Sequence, residues 1–277
     1  MIIYNARIFT ASDDLGIIEC GFIETADGII TAVGNMDDFS GSLDTGDVID
    51  ASGLTVYPAF VDAHCHIGIC ENGLGFEGDD VNEATDPSTP HLRAIDSVNA
   101  SDRCFIEAAQ AGVGTVVTGV GSANPIGGSL LAMKTYGSTR VDKLIIRDPV
   151  AIKFALGENP KRVYNDRDET PITRMATVAV IREQLMKARR YMEDLAEYER
   201  TKGTDDESSR PDLDMKCEAL IPLLRREIKA HFHCHRQDDI YTAIRIAKEF
   251  SLDYVLIHAT DGWLIADELG GERQNVS

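Results

Sequence analysis

The distribution of apolar residues changes character near residue 54. Before it, short β-rich stretches at 2–9, 17–24, 29–33 and 48–50 are split by Asp13-Asp14, Ala26-Asp27-Gly28 and Gly34-Asn35. Branched and aromatic residues suit a pleated surface, and Gly, Asn and Asp clusters end it. Strands of this length need a sheet to join. After residue 54, apolar runs of four to seven residues alternate with stretches of helical period. The pattern predicts strands over 55–63, 115–120, 144–156 (interrupted at Asp148-Pro149), 228–233 and 254–258. It predicts helices over 102–111, 173–199, 213–226, 239–250 and 263–269. In the longest of these, Met175, Val178, Ile181 and Leu185 recur at helix spacing. Near-continuous apolar strands alternating with helices predict a parallel sheet covered on both faces. Residues 201–214, charged and containing Gly, Ser and Pro, read as a solvated loop.

Composition narrows the function classes. A chain of 277 residues has room for one large α/β domain and a smaller companion. Its formal charge of −19, from 46 acidic and 27 basic side chains, repels polyanions and argues against nucleic acid or an anionic membrane as partner. No run of about 18 apolar residues predicts a membrane span. Residues 1–10 are strand-like and carry no basic segment ahead of an apolar one, so no secretory signal is expected. Six cysteines (Cys20, Cys65, Cys70, Cys104, Cys217, Cys234) lie scattered, which fits thiols in the cytoplasm.

The chemistry is concentrated in histidines. Phe60-Val61-Asp62-Ala63-His64-Cys65-His66 closes an apolar strand, and residues two apart on a strand point the same way. His64 and His66 can therefore offer two imidazoles to one divalent ion. A bare pair at this spacing is as often two packing histidines. The recurrence tips the balance. His231, His233 and His235 follow the strand begun at Glu227-Ile228-Lys229-Ala230, and His258 ends Tyr254-Val255-Leu256-Ile257. Six of seven histidines thus sit at the C-terminal ends of predicted strands, where parallel barrels build active sites. Loop residues near the same end could line a pocket: Glu71, Glu77, Asp79 and Asp80 after the first strand, Ser122, Asn124, Pro125, Gly127 and Gly128 after the second. Cys234, between two histidines, is read as packing rather than as a nucleophile.

With Phe-Val-Asp-Ala ahead of His-x-His, the chain resembles the amidohydrolase superfamily, most closely its imidazolonepropionase-like members. The strands of residues 1–57, Asp50-Ala51-Ser52-Gly53 and Tyr57-Pro58 resemble the family's entry into its barrel, with Ala59 where glycine is usual. The resemblance implies a TIM-type (β/α) barrel over residues 58–277 and part of a small β-sandwich over 1–57. It implies a site holding one or two divalent ions, zinc by preference, with His64, His66, His233 and His258 as ligands. His235 is the alternative to His233, and His231 ranks third. A bridging ligand is implied at Lys153, in Ala151-Ile152-Lys153-Phe154-Ala155-Leu156, with Glu158 as its rival. A lysine inside an apolar strand is costly to bury without a partner.

The activity so implied is hydrolysis of a C–N bond in a small amide or cyclic amide, by water activated at the metal. The family's base is an aspartate ending the eighth strand. Only 19 residues follow His258, so about six strands are expected, an incomplete barrel without that aspartate. Asp261 and Asp267 are poor substitutes, being in the loop and helix after the sixth strand. The expected state is then a truncated enzyme, alone, as a homo-oligomer or completed by another chain; the alternative is a metal-binding or assembly protein without turnover.

Overall fold

The computed structural model describes residues 1–44 and 46–271. Of the polar C-terminal tail that begins at Gly270, residues 272–277 lie outside the described residues. The chain divides into two compact units, Met1–Phe60 and the remainder from Val61.

The first unit is a five-stranded sheet of β1 (Ile2–Phe9), β2 (Ile17–Ala26), β3 (Ile29–Asn35), β4 (Val48–Asp50) and β5 (Thr55–Val56). Its path runs β3-β2-β1-β4, with β5 also on β1. β1, β2 and β3 pair antiparallel, whereas β4 and β5 run parallel to β1. Asp27 and Gly28, both at positive φ (52° and 76°), turn β2 into β3 in two residues. Ala6, Ile8, Ile18, Ile23 and Ala51 form its core.

The second unit carries β6 (Phe60–Cys65), α1 (Arg103–Gln110), β7 (Val113–Gly119), β8 (Ile126–Lys134) and β9 (Ile145–Ala155). It continues through α2 (Glu158–Asn165), α3 (Arg174–Thr201), α4 (Met215–Leu224), β10 (Lys229–Cys234), α5 (Gln237–Phe250), β11 (Tyr254–His258) and α6 (Ala266–Gly271). The six strands form one sheet in the order β11-β10-β9-β8-β7-β6. β9, β10 and β11 are parallel. Asp102, Thr173 and Asp214 cap α1, α3 and α4 by accepting from the amides of Cys104, Ala176 and Cys217. Ile181, Leu185, Leu220, Phe154, Phe232, Ile240 and Ile246 bury the helix-facing side of the sheet.

Several elements depart from the pattern reading. The sheet is mixed, because β8 pairs antiparallel with both β7 and β9. Its Gly127 and Gly128, expected in a loop, are strand residues held at close quarters. A Cβ on Gly127 would lie 2.9 Å from Val120 Cγ2 and 3.4 Å from Lys153 Cβ. The expected strand over 55–63 splits into β5 and β6 around Tyr57-Pro58-Ala59, where Pro58 offers no N–H to a ladder. Conversely, β9 runs through Asp148-Pro149 without interruption. Pairing with β10 begins only at Ala151, and pairing with β8 slips register between Arg147 and Ala151, so the missing proline N–H costs no ladder bond. α2 begins beside Pro160, tolerated in a first turn. The helix expected over 263–269 starts as a 3-10 turn, Thr260–Ile265, before α6. Among the described residues no helix is long and apolar enough to cross a membrane.

Candidate metal centre

The strand-end histidines converge. His64 and His66, at the end of β6, have ring centroids 5.2 Å apart, and His231 lies 5.6 Å from His64. His233 stands 4.7 Å from both His235 and His258, and His235 stacks on His258 at 4.8 Å. His64 and His258, 6.4 Å apart, join the two groups. The donor atoms of His233, His235 and His258 all fall within 4.8 Å of one another, so these three could hold a metal ion. His235, the alternative to His233, thus stands beside it in the same group.

β9 adds Lys153. In register it pairs with His231 on β10, so both project from the same face. Lys153 is fully buried, and its Nζ lies 2.8 Å from His64 Nε2. Glu158 stands apart: it is exposed on α2 and paired with Arg162 at 3.3 Å. Burial lowers the Lys153 pKa from 10.5 to about 7. Burial first, and the Lys153 charge next, lowers His231 to about 4 and His233 to about 3. Burial and then the Lys153 charge push His64 and His66 down, with a hydrogen bond to Gly119 partly opposing the fall at His66, and burial, then His235 and Lys153, push His258 down. The lowered values favour His64, His66, His231, His233 and His258 as neutral imidazoles, the form that coordinates a cation.

His258 reaches the cluster by a distortion of the backbone. Its register partner on β10 is Cys234, which lies in the helix-side core. Strand alternation would send His258 the same way. Instead His258 and Ala259 adopt positive φ, 70° and 41°, which ends β11 and turns the imidazole towards His233. Left-handed backbone at a residue other than glycine costs about 1–3 kcal/mol, and such strain gathers at functional sites.

Oxygen atoms orient three of the rings. His66 Nδ1 donates to the carbonyl of Gly119 at 2.7 Å, leaving Nε2 with its lone pair. His233 Nε2 accepts from Asn159 Nδ2 at 3.2 Å, which places the His233 proton on Nδ1, 3.0 Å from Ser122 Oγ. His235 Nδ1 lies 2.7 Å from Thr260 Oγ1. Asn159 and Thr260 were not singled out by sequence, although each lies one or two residues from a position that was. Asn124 serves the core, bonding Thr89, Tyr164 and the Glu83 carbonyl. Glu71 accepts from Asn99, and Glu77, Asp79 and Asp80 are exposed. Cys234 is buried with its thiol pushed up to about 12 by burial. Asp261 accepts from the Gln237 amide, tying the loop after β11 to the start of α5. A cavity of about 420 Å³ opens on His233 and His235, with Asn159, Lys161, Arg174 and Arg236 around it.

The chain is similar to known amidohydrolases and a deaminase. The chain superposes on the crystal structure of an amidohydrolase from Thermotoga maritima MSB8 with a TM-score of 0.88 and 38% identity, over 98% of this chain and 67% of that one. It is 29% identical over 246 residues to the amidohydrolase tasK of Hapsidospora irregularis, 83% of this chain and 25% of that protein. It is 39% identical over 66 residues to a 5-methylthioadenosine/S-adenosylhomocysteine deaminase of Desulforamulus reducens, 24% of this chain and 15% of that protein. No family model matches. The chain belongs to the amidohydrolase superfamily. It spans a quarter or less of the length of these two curated relatives.

Proposed function

We propose that the chain forms the metal-binding part of a hydrolase that cleaves a C–N bond in a small amide or cyclic amide. In this reading the six-stranded sheet is an incomplete TIM-type barrel, and His64, His66, His233 and His258 hold one or two zinc ions with Lys153 as the bridging group. The observation that carries it is the convergence of histidines from β6, β10 and β11 on Lys153. The donor set fits a cation on its own chemistry, since the imidazoles are neutral and the Nδ1 atoms of His64 and His231 are buried without a hydrogen-bond partner. When bound, a divalent ion supplies a Lewis acid that polarises a carbonyl and lowers the pKa of water. The protein's own part is to orient rings and control protons. Gly119 O fixes the His66 tautomer, Asn159 fixes that of His233 while Ser122 Oγ holds its Nδ1 side, and Lys153, with its pKa lowered to about 7, can give or take a proton at Nζ. The six cysteines are free thiols, which suits a reducing compartment such as the cytoplasm.

The test is turnover of a panel of amides and lactams by zinc-loaded protein, read as released amine or carboxylate. Turnover is expected, abolished by chelation and restored by zinc. A folded, zinc-loaded chain that cleaves none of them would point to metal binding without catalysis. The orienting bond gives a separate prediction. Ser122→Ala is expected to weaken zinc affinity about 10–100-fold, as loss of an orienting partner does. Competition with a coloured chelator measures this, and Ser122→Thr should restore most of it.

A further inference from the structure

A second cavity, of about 270 Å³, opens between α3 and α5. Arg174 and Arg182 of α3 and Arg245 of α5 line it, with Asp239, Thr177 and Thr242. Three guanidiniums on one cavity run against the −19 charge of the chain. Two are held in place by carboxylates. Arg174 donates to buried Asp239 through Nε at 2.8 Å and Nη2 at 3.1 Å. Arg182 commits only its Nε to Glu249, at 3.0 and 2.8 Å, so its terminal Nη groups remain available. Arg245 is exposed and makes no hydrogen bond or ion pair among the described residues.

The charges can be followed pair by pair. Asp239 neutralises Arg174 and Glu249 neutralises Arg182, which leaves Arg245 as uncompensated positive charge beside two oriented guanidiniums. A planar fork fixed in advance loses little freedom on meeting an oxyanion, and guanidiniums match phosphate and carboxylate geometry. We propose that this cavity is a binding site for a small oxyanion, the phosphate or carboxylate group of a metabolite. The site is separate from the histidine cluster but shares a wall with it. Leu156, Gly157, Arg174 and Asp239 line both this cavity and the one that opens on His233 and His235. The wall is tightly fitted at Gly157, at φ 78°, where a Cβ would lie 2.7 Å from Asp239 Oδ2.

Calorimetric titration of the whole chain with inorganic phosphate, and separately with acetate, tests this. Phosphate, acetate or both are expected to bind the wild type, and the one that binds identifies the group the site takes. Arg182→Ala with Arg245→Ala, two surface positions whose loss leaves the buried Arg174–Asp239 pair intact, should weaken that binding at least tenfold. Arg245→Lys, which keeps the charge, should weaken it less. His233→Ala with His258→Ala should leave it unchanged. Three results would each overturn the proposal: no binding of either anion to wild type, binding that the double arginine variant retains in full, or binding that disappears with the histidines.

Discussion

Replacing His64 and His66 together by alanine is expected to strip the protein of divalent metal while leaving it folded. Wild-type protein purified without chelator should carry about one or two zinc-like ions per chain by elemental analysis, as in mononuclear or two-metal hydrolase sites. The double variant should carry almost none, because loss of orienting contacts alone costs about 10–100-fold in affinity and loss of the ligands costs more. The fold should survive for reasons visible at the site. β6 is an edge strand whose residues Phe60 to Ala63 are exposed, so it contributes little core. His64 also leaves Nδ1 buried without a partner, and such an atom costs about 1–3 kcal/mol. Removing the ring gives up contacts but relieves that cost. A variant that keeps its metal, or a folded wild type that never holds any, would defeat the ligand assignment. The companion variant His233→Ala with His258→Ala separates the two halves of the cluster. If both pairs serve one centre, either double substitution empties it.

How far the sequence reached follows from which interactions are local. Alternation along one strand is local, so β11 was legible residue by residue, and the pairing of His64 with His66 needed only the period of two. The helix starts expected at 102, 173 and 213 fall at or one residue from Asp102, Thr173 and Asp214, which cap the helices that follow. β8 was not legible. Its glycines resemble a loop, and the demand for them comes from other segments: a Cβ on Gly128 would collide with the Leu92 carbonyl oxygen, and one on Gly127 would meet Val120 at 2.9 Å and Lys153 across the sheet at 3.4 Å. The same holds for Pro149, which breaks strands in general but here sits where neither neighbour asks for its N–H. His258 is the instructive case. Its type and position marked it as a ligand, but strand alternation alone would have pointed it into the core beside Cys234. Only the positive φ turns it to the cluster. Asn159 and Thr260 escaped because a hydrogen bond to an imidazole leaves no periodic trace.

The metal-free protein is expected to grow more stable as pH rises, in two separate windows. Stability changes with pH in proportion to the protons bound by the unfolded chain minus those bound by the folded one. His231 and His233 titrate near 6.5 when unfolded but at about 4 and about 3 when folded, so between about 4 and 6.5 the unfolded chain holds the extra protons. Acid therefore favours unfolding in that window. Lys153 titrates at 10.5 unfolded and about 7 folded, so between 7 and 10.5 the unfolded chain again holds the extra proton, and stability climbs further. Each group is worth on the order of several kcal/mol across its window, less than additively because the bases interact. The Lys153 charge is itself the second cause depressing both histidines, so the windows are coupled. Lys153→Met, which keeps a long apolar stem and removes the amine, should abolish the upper window and shrink the lower one. At pH 7 the variant should be the more stable protein by about 1–4 kcal/mol, as when a buried charge gives way to a packed apolar side chain. Urea denaturation of chelator-treated wild type and Lys153→Met from pH 5 to pH 9 measures the difference directly. Parallel curves between pH 7 and pH 9 would show that Lys153 is not buried as a neutral amine, and would take with them its place beside His64.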